Sequence, residues 1–248
     1  MYLELQNISK TWKNKTGDNY SLQDISLSIS RNEFVCIIGP SGCGKTSLLK
    51  IMSGIVTPDS GEVIHNDKVV EKAANGHSMV FQEPSLYPWK TVVENIELGL
   101  IFQKYPKQER KKIVSEKIKL AGLESFENLY PHQLSGGMKQ KTQLARVLAL
   151  NPDIVFLDEP FAAMDEVLKN KFDNYLLKLW EKEQKTFVLV THSIEEALFL
   201  ADRIILMSPD PGKIQLEKEI DLPRPRDLFS KDIVELRKSL RNEISKFY

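Results

Sequence analysis

The chain has 248 residues, enough to bury the core of one large domain or of one domain with an inserted subdomain. Its 34 basic residues balance its 34 acidic residues, which excludes a strong overall field that would attract nucleic acid or anionic lipid. The two cysteines favour a reduced, cytosolic protein over a disulfide framework. Neither a signal peptide nor an apolar run of ~20 residues is present, so we expect membrane association only through a partner.

The N-terminal third alternates between strand patterns and polar loops. Apolar and polar residues alternate at residues 3–5 and 21–29, which predicts half-buried antiparallel strands, and a polar loop is predicted at 13–19 between them. The nearly continuous apolar run at 33–38 predicts a strand buried on both faces. A Gly-rich segment follows, and residues 47–52 then have helical composition.

The middle of the chain is predicted to be helical. Two further strands are expected at residues 62–65 and 79–82, after which a helical period dominates residues 92–150. The period is broken at three residues: Pro106, Gly122 and Pro131. We therefore expect an inserted helical subdomain here.

Strands and helices alternate in the last third. The predicted strands are 154–157, 187–190 and 203–207, and the predicted helices are 165–180, 194–201 and, in a charged C-terminal tail, 231–246. Alternation of this kind predicts an α/β fold with a largely parallel sheet.

A complete G-x-x-x-x-G-K-[ST] phosphate loop follows the strand at 33–38. It consists of Gly39, Pro40, Ser41, Gly42, Cys43, Gly44, Lys45 and Thr46, and Ser47 comes next. Glycines let backbone N–H groups converge on phosphate oxygens, Lys45 supplies a positive charge, and the Thr46 hydroxyl is placed to bind Mg²⁺. A simple Gly-rich turn is the alternative, but the strand before the loop and the helix after it favour a phosphate site.

Two carboxylates, Asp158 and Glu159, end the strand at 154–157. Ligands of α/β folds bind at this end of the sheet, so Asp158 is a candidate for holding Mg²⁺ and Glu159 for activating a water molecule. Two solvated carboxylates would give the same pattern on their own, and the phosphate loop upstream argues against that alternative.

Between these motifs stands Leu134-Ser135-Gly136-Gly137-Met138. The three motifs in this order resemble the ATP-binding subunit of an ABC transporter over nearly the whole chain. The resemblance implies a P-loop NTPase (RecA-like) fold with a mixed sheet core, an antiparallel β subdomain and an inserted helical subdomain. It also implies one domain, with a core at about 1–90 and 151–218, a helical subdomain at about 91–150 and a tail at 219–248.

The resemblance assigns roles to further residues. Ser135, Gly136 and Gly137 would complete the ATP site of a second, antiparallel copy by presenting a helix N-terminus to the γ-phosphate. The other assignments are Gln82 as a γ-phosphate and Mg²⁺ sensor, Asp165 as the D-loop aspartate, His192 as the switch histidine and Trp12 as the ring that stacks on adenine. Tyr20 is the alternative stacking ring, and Trp12 would then only pack.

Four segments, 81–89, 130–133, 207–214 and 221–227, resemble the nitrate/sulfonate/taurine importer group. This implies ATP and Mg²⁺ as cofactors, a homodimer formed through ATP, transmembrane permease subunits and, indirectly, an extracytoplasmic substrate-binding protein. No nucleic-acid partner is expected, and the location implied is the cytoplasmic face of the membrane. The alternative function is an ABC-type ATPase that acts as a regulator without a membrane partner.

Cys43 lies within the phosphate loop, and its thiol is a possible site of chemical labelling. The positive end of the following helix and the nearby Lys45 would favour its thiolate. We therefore expect Cys43 to react with a maleimide faster than Cys36, which lies in a buried strand.

Overall fold

The computed structural model describes residues 2–13, 19–72, 76–161 and 166–247. Their strands are β1 (Leu3–Lys13), β2 (Asn19–Ile29), β3 (Phe34–Ile38), β4 (Ser60–His65), β5 (Lys68–Val69), β6 (His77–Val80), β7 (Ile154–Asp158), β8 (Thr186–Val190), β9 (Arg203–Ser208) and β10 (Lys213–Glu219). Their α-helices are α1 (Lys45–Met52), α2 (Val92–Phe102), α3 (Lys107–Ala121), α4 (Gly136–Ala149), α5 (Glu166–Glu183), α6 (Ile194–Leu200) and α7 (Lys231–Ser245).

A six-stranded sheet in the order β10-β9-β3-β8-β7-β6 forms the centre of the molecule. All neighbours pair in parallel except β9 and β10, which are antiparallel. Every residue of β3, β7 and β8 is buried, as expected for strands covered on both faces. The predicted α/β fold with a mixed sheet is therefore confirmed. Strand β10 was not predicted, because its sequence is charged and mostly exposed.

A separate antiparallel sheet, in the order β2-β1-β4-β5, packs against the central sheet. Its first two strands are longer than the alternation predicted, since Trp12 pairs with Tyr20 and Lys13 with Asn19. The predicted loop at 13–19 was therefore too long at both ends. Cross-strand pairing extends these strands into polar sequence that has no periodicity of its own.

Helices α2, α3 and α4 pack around a small apolar cluster of their own. Thr91 and Glu94 form a capping box that begins α2, Pro106 precedes α3, and Gly122 ends α3 with a φ of 65°. The breaks predicted at Pro106 and Gly122 are therefore helix boundaries.

The central sheet separates two cores. Phe34, Cys36 and Ile38 of β3 face the cluster that includes α5, α6 and α7, whereas Val35 and Ile37 face α1 and the antiparallel sheet. This alternation places the two faces of one strand in different layers. Among the described residues, no helix is long and apolar enough to cross a membrane.

Arg226 lies in the segment between β10 and α7, and its buried side chain connects this segment to α6. Its guanidinium donates hydrogen bonds to the carbonyls of Leu198 and Ala201 in and after α6, and to those of Ile220 and Leu222. Burial lowers the pKa of Arg226 to about 10, a value at which the group stays charged at neutral pH. One side chain therefore donates hydrogen bonds to four backbone carbonyls.

Replacement of Arg226 with methionine should lower the free energy of unfolding by about 3 kcal/mol or more, because buried carbonyls lose their donors. Urea denaturation measures this. The matched control is Arg241→Met, which removes an exposed ion pair with Glu195 and should cost less than about 1 kcal/mol. Equal losses in the two variants would contradict the role of Arg226.

Candidate functional site

The phosphate loop connects β3 to α1, and its backbone path requires glycine at two positions. A Cβ atom on Gly44, where φ is 96°, would lie 2.3 Å from Cδ2 of Leu22. A Cβ on Gly39 would lie 2.6 Å from the carbonyl oxygen of Met207. The loop is therefore pressed against β2 and β9, and a side chain at either glycine would displace it.

Lys45, the first residue of α1, is buried and bends back over the loop. Its ammonium donates hydrogen bonds to the carbonyls of Gly39 and Pro40, both at 2.9 Å. These contacts hold a positive charge at the centre of the loop, in the position that a phosphate anion would neutralise.

Two of the three predicted magnesium ligands, Thr46 and Asp158, lie in direct contact. The Thr46 hydroxyl donates a hydrogen bond to Oδ1 of Asp158 at 2.7 Å, across the 112 residues that separate them in sequence. Burial raises the pKa of Asp158, and the hydrogen bond from Thr46 partly offsets that effect. A hydroxyl and a carboxylate are hard oxygen donors of the kind that Mg²⁺ prefers, so the pair fits this ion.

Glu159 follows β7 with a φ of 42°, in the left-handed region. Its Oε2 lies 3.3 Å from Nδ1 of His192, which follows the neighbouring strand β8. Because β7 and β8 are adjacent and parallel, their carboxyl ends bring these two side chains together. A carboxylate and a histidine thus meet at the edge of the sheet from which the phosphate loop also emerges.

A cavity of about 370 Å³, here called the phosphate-loop cavity, joins these parts. Its described lining is Trp12, Leu22, Ser41, Gly42, Gly44, Lys45, Thr46, Ser47 and Glu159. Trp12 thus faces the same space as the loop, as required of a ring that stacks on a base. Leu22 was not predicted, because one leucine in an alternating strand carries no sign of a binding role.

Other predicted residues lie elsewhere. Gln82 is exposed, and its backbone carbonyl accepts a hydrogen bond from Gln140 of α4. Ser135 caps α4 by accepting a hydrogen bond from the Met138 amide; Ser135 and Gly136 are exposed, while Gly137 is buried.

None of these four predicted residues is in the described lining of the phosphate-loop cavity. Asp165 and the side chain of Tyr20 lie outside the part of the chain that the structure describes.

The prediction that the surroundings of Cys43 favour its thiolate is wrong. Its side chain is 1% exposed and packs in the apolar cluster between α1 and the antiparallel sheet. Burial raises the pKa of the thiol more than the nearby Lys45 lowers it. The positive charge of Lys45 favours the thiolate, but desolvation of the thiolate is the larger effect here.

Both thiols of the folded protein should therefore react slowly with a maleimide, since Cys36 is also fully buried and its pKa is raised well above the usual range. Time-resolved mass spectrometry measures the labelling. Protein unfolded in guanidinium chloride should label at both cysteines within minutes and provides the control. Rapid labelling of Cys43 in folded protein would contradict its burial.

Residues 22–162 match the family model described as ABC transporter. Three relatives align over most of the chain. An uncharacterized ABC transporter ATP-binding protein of Methanocaldococcus jannaschii is 44% identical over 97% of this chain and 90% of its own length. The aliphatic sulfonates import ATP-binding protein of Bacillus cereus is 39% identical over 97% of this chain and 94% of its own length. The nitrate import ATP-binding protein of Synechocystis is 40% identical over 90% of this chain and 84% of its own length.

Among solved structures, the chain is similar to a dimeric ATP-binding cassette in a post-hydrolysis state with ADP and Pi bound. The two chains are 36% identical with a TM-score of 0.77, over 89% of this chain and 100% of the other. The family model, the relatives and the solved structure all point to the family that the sequence motifs resemble. The chain belongs to the ABC transporter family, among its ATP-binding subunits.

Proposed function

We propose that this protein is the ATP-hydrolysing subunit of an ABC importer for a small anion, such as nitrate, a sulfonate or taurine, or for a related small nutrient. The observation that carries the proposal is the contact of Glu159 with His192 at the rim of the phosphate-loop cavity. Relatives named as importer subunits favour this function over that of a regulator without a membrane partner.

ATP would bind with its adenine on Trp12 and its phosphates on the loop from Gly39 to Ser47. The Lys45 ammonium would give up its hydrogen bonds to the carbonyls of Gly39 and Pro40 and donate to phosphate oxygens instead. Its flexible side chain would need to move only within one cavity. Leu22, which lines the cavity beside Trp12, would contact the base or the ribose.

Thr46 and Asp158 would hold Mg²⁺, with Gln82 joining them after a change in its loop. When bound, the ion neutralises charge that develops on the phosphates. Glu159 would orient and deprotonate the attacking water, and His192 would position Glu159 and contact the γ-phosphate.

A second copy of the chain would complete the site. Ser135 and Gly136 are exposed at the N-terminus of α4, where backbone N–H groups point outward and the helix dipole favours an anion. The dimeric cassette with ADP and Pi supports this arrangement. Asp165 would also lie at this interface between the two copies.

We propose that residues at about 91–150 form a helical subdomain within one 248-residue domain. The permease would dock beside this subdomain. Trp89 is 69% exposed there and lies 5.7 Å from the ring of Tyr87. Arg146 of α4 lies over the Tyr87 ring and donates hydrogen bonds to Ser85. These contacts connect the segment that carries the two aromatic rings to α4. Such docking would place the protein at the cytoplasmic face of the membrane, with a substrate-binding protein outside.

The chemistry of the site is tested by Glu159→Gln, which keeps the shape of the side chain but removes its basic oxygen. Hydrolysis should fall at least about a hundredfold while ATP still binds. The trapped nucleotide should hold two copies together, so size-exclusion chromatography with Mg-ATP should show a dimer. Glu235→Gln, an exposed change on α7, should behave as wild type. A variant that hydrolyses ATP at the normal rate would contradict the role of Glu159.

Docking of the permease is tested by Trp89→Ala, measured by ATP affinity of the purified subunit and by co-purification with its permease. Because Trp89 is exposed and outside the phosphate-loop cavity, ATP affinity should stay within about twofold of wild type. Loss of an exposed aromatic anchor should weaken co-purification at least tenfold. Val167→Ala, an exposed apolar residue on α5, is the control. Normal co-purification of the Trp89 variant would contradict the assignment of this surface.

A further inference from the structure

A second cavity, of about 640 Å³, lies between α5, α6 and the segment that leads into α7, and is here called the α5–α6 cavity. It is larger than the phosphate-loop cavity, and the proposed ATPase chemistry uses none of its residues. Ser193, which follows His192 in sequence, lies on its wall.

Ionic contacts already neutralise most of the charge around this cavity. Glu196 pairs with Lys169 at 2.5 Å, and its other oxygen accepts a hydrogen bond from the Thr191 hydroxyl. Glu195 pairs with Arg237 at 3.5 Å and with a second arginine of α7. These carboxylates are therefore committed to partners in the protein.

Asp173 is different. It lies on the wall of the cavity and is 6% exposed, yet its Oδ1 atom has no hydrogen-bond partner among the described residues, and no ion pair to Asp173 is found among them. A buried carboxylate oxygen without a donor costs free energy unless a ligand or a proton satisfies it. Burial and the nearby Glu196 raise the pKa of Asp173 to about 7, although Lys169 acts in the opposite direction.

Part of the cavity lining is apolar. It is formed by Phe199 of α6 and by Leu228 and Phe229 of the following segment, and Phe229 is 87% exposed. The face of an aromatic ring attracts a cation, and an exposed phenylalanine at the rim of a cavity is free to cover a bound molecule. A carboxylate without an ion pair, in a cavity whose lining is partly apolar, fits a ligand with a positive head and a short apolar body.

An inorganic divalent cation fits less well. No group of three or more His, Cys, Asp or Glu residues within residues 2–13, 19–72, 76–161 and 166–247 is placed to hold a metal ion. Calcium and magnesium sites need several oxygen ligands around one point, whereas Asp173 offers one carboxylate. The apolar wall would contribute nothing to such an ion.

We propose that the α5–α6 cavity binds a small organic cation, a primary ammonium on a short apolar chain, with Asp173 as its counter-ion and Phe229 against its chain. The ammonium would pair with the carboxylate of Asp173 on the cavity wall, and the chain would lie on Phe199 and Leu228.

The proposal is tested with n-propylammonium chloride on the nucleotide-free protein, by ligand-observed NMR at pH 8 against sodium chloride at equal ionic strength. Saturable binding in the millimolar range is expected, since one ion pair and a three-carbon chain supply only a few kcal/mol of affinity. Neutral 1-propanol should bind at least tenfold more weakly. Absence of saturable binding, or equal binding of 1-propanol, would overturn the proposal.

Two variants locate the site, and one control excludes general charge effects. Asp173→Asn should weaken n-propylammonium binding at least tenfold, and Phe229→Ala, an exposed change that leaves the core intact, should weaken it severalfold. Glu181→Gln removes one exposed negative charge from the same helix and should leave affinity unchanged. Wild-type affinity in both cavity variants would show that the cation binds elsewhere and would overturn the assignment.

The affinity should also depend on pH. An ammonium binds the ionised form of Asp173, whose pKa is about 7, so affinity should rise about tenfold between pH 6 and pH 8 and should be flat for Asp173→Asn. The other charged groups that face the cavity are Lys169, Arg237, Glu166, Glu195 and Glu196. A flat wild-type profile would contradict Asp173 as the counter-ion.

Protein stability gives an independent check that needs no ligand. Because the pKa of Asp173 is higher in the folded than in the unfolded state, its contribution to stability is full below about pH 4 and is lost as pH rises through 7. Asp173→Asn should therefore raise the melting temperature relative to wild type by several degrees at pH 8.5, with a smaller difference at pH 5. An equal difference at the two pH values would mean that the carboxyl is not desolvated as described.

Discussion

The close packing of the phosphate loop against two neighbouring strands is the constraint on which the rest of the site depends. Gly44 has no room for a side chain because Leu22 of β2 lies against it, and Gly39 has none because of the Met207 carbonyl in β9. Gly212, before β10, approaches the Cys43 carbonyl in the same way. Both sheets therefore fix the path of the loop, and that path decides where backbone N–H groups and Lys45 point.

The order of the strands then assembles the chemistry around the loop. Strand β8 lies between β3 and β7, so the loop, His192 and the Asp158-Glu159 pair emerge at one edge of the sheet from three adjacent strands. The Thr46–Asp158 hydrogen bond and the Glu159–His192 contact both cross this edge. Residues far apart in sequence meet because parallel strands end together, as in other α/β folds. Ser135 and Gly136, at the N-terminus of α4, are not in the described lining of the phosphate-loop cavity, which is why the proposed site needs a second copy.

The sequence was sufficient for features that depend on local pattern. The buried strands around residues 35, 156 and 188, the helix boundaries at Pro106 and Gly122, and the loop itself follow from apolar runs and backbone chemistry. Features that depend on tertiary contacts could not be predicted from local sequence. They are the full length of β1 and β2, the charged edge strand β10, the hydrogen bonds from Arg226 to backbone carbonyls and the cavity around Asp173. Cys43 shows the reason most clearly, since its charge environment could be read along the chain but its burial could not.

The central claim is that the phosphate loop of one chain and the α4 N-terminus of another share one nucleotide, and intermolecular cross-linking tests it most directly. Ser41 and Ser135 are both exposed, and both native cysteines are buried. A Ser41→Cys chain mixed with a Ser135→Cys chain, each also carrying Glu159→Gln, is treated with a short bismaleimide. The account predicts a cross-linked heterodimer with Mg-ATP, little without nucleotide, and little in either chain alone. A cross-link that does not depend on ATP, or none in the mixture with ATP, would contradict the shared site.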